Sequence, residues 1–483
     1  MNARILSLLC AAASAWSGPA AAQRVDRLGP QVRKYLRVDT PEVILEHVEV
    51  IDGTGAAPLA DRNVRISAGK IAAILPGADE LPRDGATILD LRGRSVLPGI
   101  VGMHDHLFYL AQPDLRPDGS LERPTFFVEM RFSAPRLYLA NGVTTIRTAG
   151  AVEPETDLKI RDDIERGVVP GPHLHVTGPY LDGGNHSNPR LSGPEDARQT
   201  VAYWADRGVT SFKAYKNITR EELRAAVEEA HKRGLKVTGH LCSVTYEEAS
   251  AIGIDNLEHG FFVNTALDPD KKPDACSSSG GDFTLEHMAP GSPQAEQLIS
   301  TLIRHRVAIT STLVSTAASV ADRRTPLRAA VLEAMAPHLR EAYDVWRGRP
   351  VSPATGALLR REMELERAFV AAGGLLLAGP DPVGIGGNLP GFGDQRQLEL
   401  LVEAGFAPLE AIRIATLNGA NFLGVQDRIG SIAVGKQADL VVVKGDPAAR
   451  IAEVENVEIV FKDGAGYDPK RLLDSVKGRY GEY

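Results

Sequence analysis

The stretch Val96-Leu97-Pro98-Gly99-Ile100-Val101-Gly102-Met103-His104-Asp105-His106 opens as an apolar, β-branched run and ends in two histidines one residue apart. On a strand, residues i and i+2 point to the same side. His104 and His106 therefore present two imidazoles to one point, and Asp105 faces away. Two neutral imidazoles held together suit a divalent metal such as zinc. A short His-x-His motif alone also fits a strand end with two incidental histidines.

The chain around this stretch alternates strand-like and helix-like segments, the pattern of a parallel β/α fold. Strands are expected at 95–101, 144–147, 173–177, 211–214, 236–240, 256–259, 308–311 and 375–378. Helices are expected at 124–140, 219–233, 243–251 and 408–418, with Thr219 and Glu222 spaced as a capping box. Eight strands with intervening helices predict an α/β fold, a (β/α)8 TIM-like barrel. The connection over 312–372 is too long for an ordinary loop, and its helix-forming composition around 328–349 and 358–370 predicts an inserted helical lid.

Active-site residues of such barrels sit at the C-terminal ends of strands. Reading each strand end in turn yields His104 and His106, Lys213, His240, His259 and Asp381. Each alone has an ordinary structural explanation. Six such residues at one rim point to a metal-dependent site.

Both chain ends carry β-rich segments. Residues 43–51 are strand-like, and 63–66 and 70–74 flank an Ala68-Gly69 turn. Residues 438–443 and 457–461 match them at the far end. Neither half has enough strands to bury a face alone, so one small β-sandwich domain built from both ends is expected. The expected division is a signal peptide at 1–22, the first part of the β domain at 23–95, the barrel at 96–424 and the second part with a tail at 425–483.

The 483-residue length suits one large and one smaller domain. A formal net charge of −8 with no Lys/Arg-rich block argues against a nucleic-acid partner. A small-molecule substrate, no membrane partner and a homo-oligomeric assembly are expected. Arg4, the apolar run 5–16 and Ala20-Ala21-Ala22 form a secretory signal with cleavage after Ala22, which predicts export to a periplasm or the medium. Cys242 and Cys276 remain after that cleavage. An oxidising compartment permits a bridge between them, although two buried, inert thiols is the preferred reading.

The chain resembles the amidohydrolase superfamily, in its imidazolonepropionase-like and Xaa-Pro dipeptidase-like branch. The motifs are Leu97-Pro98-Gly99 before His104-Asp105-His106, Phe212-Lys213-Ala214-Tyr215, Thr238-Gly239-His240, Leu257-Glu258-His259-Gly260 and Gly379-Pro380-Asp381. Gly430-Ser431-Ile432 and Gly435-Lys436-Gln437-Ala438-Asp439-Leu440 resemble the family's return to its small β domain. The resemblance implies two divalent metals, with zinc expected. His104, His106 and Asp381 would hold the first, and His240 and His259 the second. Lys213, carboxylated by carbon dioxide, would bridge them. Carboxylation has a physical basis, because a lysine ammonium beside two dications is repelled, whereas a carbamate is a bidentate anion.

The implied reaction is hydrolysis of an amide or peptide-like C–N bond in a dipeptide, an N-acyl amino acid or a related amide. Asp381 would move a proton from water to the leaving amine. Tyr215 faces the same way as Lys213 and is placed to bond the oxyanion, with rim packing as its other reading. His186, in a loop resembling the family's Gly-Gly-His turn but carrying Asn185, is a candidate for the substrate carbonyl or carboxylate, or for a loop hydrogen bond. Thr148 stands where the family often has Asp. A deaminase or a cyclic-amide or lactone hydrolase of the same fold is the alternative. Mononuclear deaminases of this fold typically place Glu three residues after the fifth-strand His, and here that residue is Ser243. A catalytically dead binding barrel is the third reading, and the complete ligand set argues against it.

Overall fold

The computed structural model describes residues 25–111, 126–183, 190–320, 328–348 and 350–482. The expected signal at 1–22 and the candidate His186 lie outside the described residues.

The parallel strands that carry the candidate residues are β1 (Ile100–Asp105), β2 (Val143–Thr148), β3 (His173–His175), β4 (Thr177–Leu181), β5 (Ser211–Ala214), β6 (Lys236–Gly239), β7 (Asn256–Glu258), β8 (Ala308–Ser311) and β9 (Leu376–Ala378). One parallel sheet runs in the order β3-β2-β1, and a second runs from β4 to β9 in chain order. Strands β1, β2, β5, β7, β8 and β9 are buried along their whole length, as expected of parallel strands with neither face open to solvent.

The two parallel sheets are stitched at Thr148. The Thr177 amide donates to its hydroxyl oxygen at 2.9 Å, and the Thr177 hydroxyl donates to its carbonyl. At the other margin, the Asp381 amide donates to the His104 carbonyl at 3.0 Å, bringing the segment after β9 onto β1.

Three expected elements differ. The apolar run 95–101 is two strands, because Arg94–Pro98 pairs antiparallel with Leu440–Lys444 whereas β1 begins at Ile100. The run 173–177 divides at Val176, since β3 pairs with β2 and β4 with β5. Within 124–140, Phe126–Glu129 pairs antiparallel with Phe108–Ala111, and the helix spans only Ser133–Ala140. In each case the available strand partner decided where the chain changes state, which local pattern does not encode.

The helix Arg220–Lys232 starts with the expected Thr219–Glu222 capping box, and Thr245–Glu248 makes a second one before Tyr246–Ile252. Residues between β8 and β9 form helices at Leu313–Ala317, Ala329–Ala334, Pro337–Arg347 and Pro353–Ala371. The last of these buries Leu359, Glu362, Met363, Leu365, Glu366 and Phe369 and leads into β9.

Strands from both chain ends join in one nine-stranded mixed sheet, with Leu440–Lys444 beside Arg94–Pro98 linking the halves. Val43, Leu45, Val64 and Ile66 share a buried cluster with Leu440, Val442, Ile459 and Phe461. Cys242 and Cys276 are joined in a disulfide, with Cα atoms 4.8 Å apart. This corrects the preference for two free thiols, because the loop after β7 returns to the residues following β6, which sequence separation does not reveal. Among the described residues, no helix is long and apolar enough to cross a membrane.

Candidate metal centre

The end of β1 carries His104 and His106, both buried. Asp381 approaches from beyond β9. Its Oδ1 lies 3.1 Å from His106 Nε2 and 3.6 Å from His104 Nε2. One ligand atom from each of the three lies within 4.8 Å of the others, a set able to hold a metal ion. The close approach of the β9 end to β1 depends on Gly379, since a Cβ there would overlap the His104 backbone. Asp381 itself takes a left-handed backbone, φ 55°, which costs energy outside glycine and recurs at functional sites.

The remaining imidazoles continue from this group. The His104 and His259 ring centroids are 4.5 Å apart, and those of His259 and His240 are 4.4 Å apart. His259 Nδ1 lies 4.0 Å from Asp381 Oδ2 and 3.0 Å from the Thr312 hydroxyl. Tyr215 lies against His240 at 4.9 Å between centroids, and Tyr180 lies against Tyr215 at the same separation. The structure thus brings together His104, His106, His240, His259, Asp381 and Tyr215 along one edge of the strands. Ser243 is turned away, its hydroxyl donating to the Ile218 carbonyl at 2.5 Å.

Beneath the imidazoles lies a buried polar layer that sequence reading did not single out. Glu258 Oε2 is 2.7 Å from His104 Nδ1, and Oε1 accepts from Arg147 at 2.5 Å and from the Thr238 hydroxyl. Arg147 also donates to Asn256 Oδ1 at 2.9 Å. Lys213 Nζ stands 4.0 Å from Glu258 Oε1. The available signal was Asn256 and Glu258 at i and i+2 in a buried strand, two polar side chains on one inward face.

The electrostatics set protonation states that suit a metal. Burial, then the Lys213 charge, pushes His104 down to about 4 against the pull of Glu258 and Asp381. Burial also drives His240 and His259 well below the usual histidine range. All three are neutral bases at pH 7. Burial would raise Asp381, but His104, His106 and His259 outweigh it and hold the carboxyl below the ordinary range. Burial lowers Lys213 to about 8 although Glu258 favours its charged form. A reactive neutral amine is thus accessible near neutral pH.

A second group, His173, Asp439 and Asp463, also places three ligand atoms within 4.8 Å. Lys462 Nζ lies 3.2 Å from Asp463 Oδ2, the same oxygen that faces His173 Nε2 at 3.4 Å. With His173 protonated, two cations balance two carboxylates and the cluster needs no ion.

Residues 95–465 match the model of the amidohydrolase family. A Xaa-Pro dipeptidase with methionine bound in its active site has a similar structure, at TM-score 0.66 and 22% identity, covering 88% of this chain and 100% of that one. A bottromycin amidohydrolase aligns at TM-score 0.64 and 23% identity, covering 95% of this chain and 94% of its own. These identities carry the fold alone. Adenine deaminase 2 of Desulfotalea psychrophila is 33% identical over 86 residues, 17% of this chain and only 15% of its own length. The family match spans both the His104–His106 strand and Asp381, and this chain belongs to the amidohydrolase family.

Proposed function

We propose that the protein is an exported, binuclear amidohydrolase that cleaves an amide or peptide-like C–N bond in a dipeptide, an N-acyl amino acid or a related amide. The observation that carries this reading is the convergence of four imidazoles, one ionised carboxyl and a buried lysine of lowered basicity. His104, His106 and Asp381 would hold one divalent metal, His240 and His259 a second, and carboxylated Lys213 would bridge them. The donor set fits: with Glu258 on His104 Nδ1, the Nε2 lone pair is free for a ligand bond. Imidazole and carboxylate donors suit zinc.

When bound, such metals bring the pKa of water from about 15.7 to roughly 7 and polarise a carbonyl. Asp381 then takes the water proton and returns it to the leaving amine, a base and acid in turn. Tyr215 supplies a hydroxyl toward the developing oxyanion. Its pKa is raised by burial and by Asp381 and Asp182, so it stays protonated and able to donate. His186 would contact the substrate carbonyl or carboxylate.

The reading extends to the architecture. The two parallel sheets, stitched at Thr148–Thr177 and approaching at Asp381–His104, form one closed (β/α)8 barrel at 96–424. The mixed sheet folds over its shared apolar cluster as the small sandwich domain of residues 23–95 and 425–483. The helices of the 312–372 insertion form the lid, and the protein assembles as a homo-oligomer. Export follows from residues 1–22 and accords with the Cys242–Cys276 bridge.

The test is a hydrolysis panel of dipeptides, N-acyl amino acids, lactones and nucleobases, run with metal analysis of the purified protein. Two metals per subunit and turnover of the amides are expected. Release of ammonia from adenine with no amide turnover would replace this reading with the deaminase. N-terminal sequencing should begin at or near Gln23, and an intact Met1 in the soluble fraction would end the export reading.

A further inference from the structure

The backbone after β7 makes a sharp turn at His259 and Gly260, with φ of 63° and 59°. A left-handed histidine is costly and persists only where its surroundings enforce it. Here the enforcing group is a carboxyl from the helix Pro353–Ala371. The Phe261 amide donates to both oxygens of Glu362, at 2.8 and 3.0 Å. A Cβ on Gly260 would overlap Glu362 Oε1, so the carboxyl is pressed against the turn itself. The rest of the turn is equally held: the Gly260 amide donates to the Thr310 carbonyl at 2.9 Å, and the Tyr246 hydroxyl donates to the Gly260 carbonyl at 2.7 Å.

One helical turn on, Glu366 lies against the same turn, its Oε1 3.0 Å from where a Cβ on Gly260 would stand. Its Oε2 accepts from the Ser311 hydroxyl at 2.9 Å, and Gln397 donates to that hydroxyl oxygen at 2.8 Å. The next residue, Thr312, holds His259 Nδ1 at 3.0 Å. Glu362 and Glu366 are both fully buried, and no described residue forms a salt bridge with either. Two buried carboxyls side by side are expensive, and apolar side chains of that size would pack a helix more cheaply. Burial raises both, and Glu366 raises Glu362 further, whereas the hydrogen bonds from Ser311 and Glu362 pull Glu366 back only in part. The feature they have in common is the turn that aims His259.

We propose that Glu362 is a positioning residue for His259: by accepting the Phe261 amide it locks the left-handed His259–Gly260 turn, and so pre-sets the imidazole for the second metal. The inference rests on the binuclear reading above and names a residue outside the ligand set on which that metal depends.

The test uses the purified, metal-loaded protein. Glu362→Met fills the volume without a carboxyl acceptor, and Glu362→Gln restores one acceptor oxygen. Each is titrated with a competing chelator, and cobalt-substituted protein is followed by its visible spectrum. Loss of a supporting group around a metal ligand costs ~10–100-fold in metal affinity. That loss is expected for the second metal in Glu362→Met, with the first metal unchanged and Glu362→Gln recovering most of the affinity. A purely structural role would lower thermal stability and leave the ratio of the two affinities as in wild type. Wild-type affinity for both metals in Glu362→Met, or equal loss in both variants, overturns the proposal. Should Glu362→Met fail to fold, hydrogen exchange of the Phe261 amide in metal-free wild type decides: slow exchange is expected, and fast exchange refutes a pre-set turn. A wild type that binds a single metal removes the binuclear reading instead, and this inference falls with it.

Discussion

Nδ1 of His104 lies 2.7 Å from Oε2 of Glu258, and both side chains are buried. That contact sets the tautomer, because the Nδ1 proton goes to the carboxylate and Nε2 is left as a base facing Asp381. Burial would raise Glu258, but Arg147, Lys213 and His104 outweigh it and keep it ionised. Glu258→Gln removes the charge that Arg147 and Lys213 depend on. Metal affinity is expected to fall ~10–100-fold by chelator competition. Stability to denaturant should fall by about 3–5 kcal/mol, the usual result of breaking a buried ion pair from one side. An unchanged affinity would show that His104 needs no orienting partner.

Asp381→Asn keeps an oxygen donor and loses the basic site. Turnover is expected to drop at least ~100-fold, the scale of lost acid–base help, with the circular dichroism spectrum unchanged. Near-normal turnover would exclude Asp381 from proton transfer.

Lys213→Ala should lose most activity and much of the second metal, measured by elemental analysis. Lys213→Arg should fail as well, since a guanidinium stays charged and cannot carry a carbamate. A small carboxylic acid added to Lys213→Ala should restore part of the activity. Two metals and normal turnover in Lys213→Arg would refute the bridging role.

At the junction of β3 with the mixed sheet, burial and Lys462 would lower His173, but Asp463 and Asp439 outweigh them and raise it to about 9. An unfolded histidine titrates near ~6.5. The folded state therefore holds the proton more tightly, and its stabilisation is complete below the unfolded value and lost as pH rises through about 9. Denaturant midpoints should decline across that window, and His173→Gln should flatten the decline. An equal slope in both proteins would place the pH dependence elsewhere.

The Cys242–Cys276 bridge closes a separation of 34 residues just past His240. Cys276→Ser is expected to cost about 2–4 kcal/mol of stability, the usual range for a native bridge. Mass spectrometry without reduction should find Cys242 and Cys276 joined, with neither as a free thiol.

Sequence alone determined the chemistry-bearing residues and the broad class of fold. His104 and His106 are legible because a strand has a period of two, so their common direction is a local property. Lys213, His240, His259 and Asp381 are legible because each closes an apolar run, and parallel strands all end on one side. Tertiary structure decided what lies far apart in the chain. The run 95–101 reads as one strand until Leu440–Lys444 pairs with its first half. Glu258 is an unremarked acidic residue until Arg147, Thr238 and His104 close around it. Glu362, 103 positions beyond His259, reads as one more polar residue of a helix until its carboxyl meets the Phe261 amide. The physical reason is common to all three. Side-chain direction follows from backbone period within one element, whereas a partner for a buried charge or a strand edge exists only after distant elements have packed.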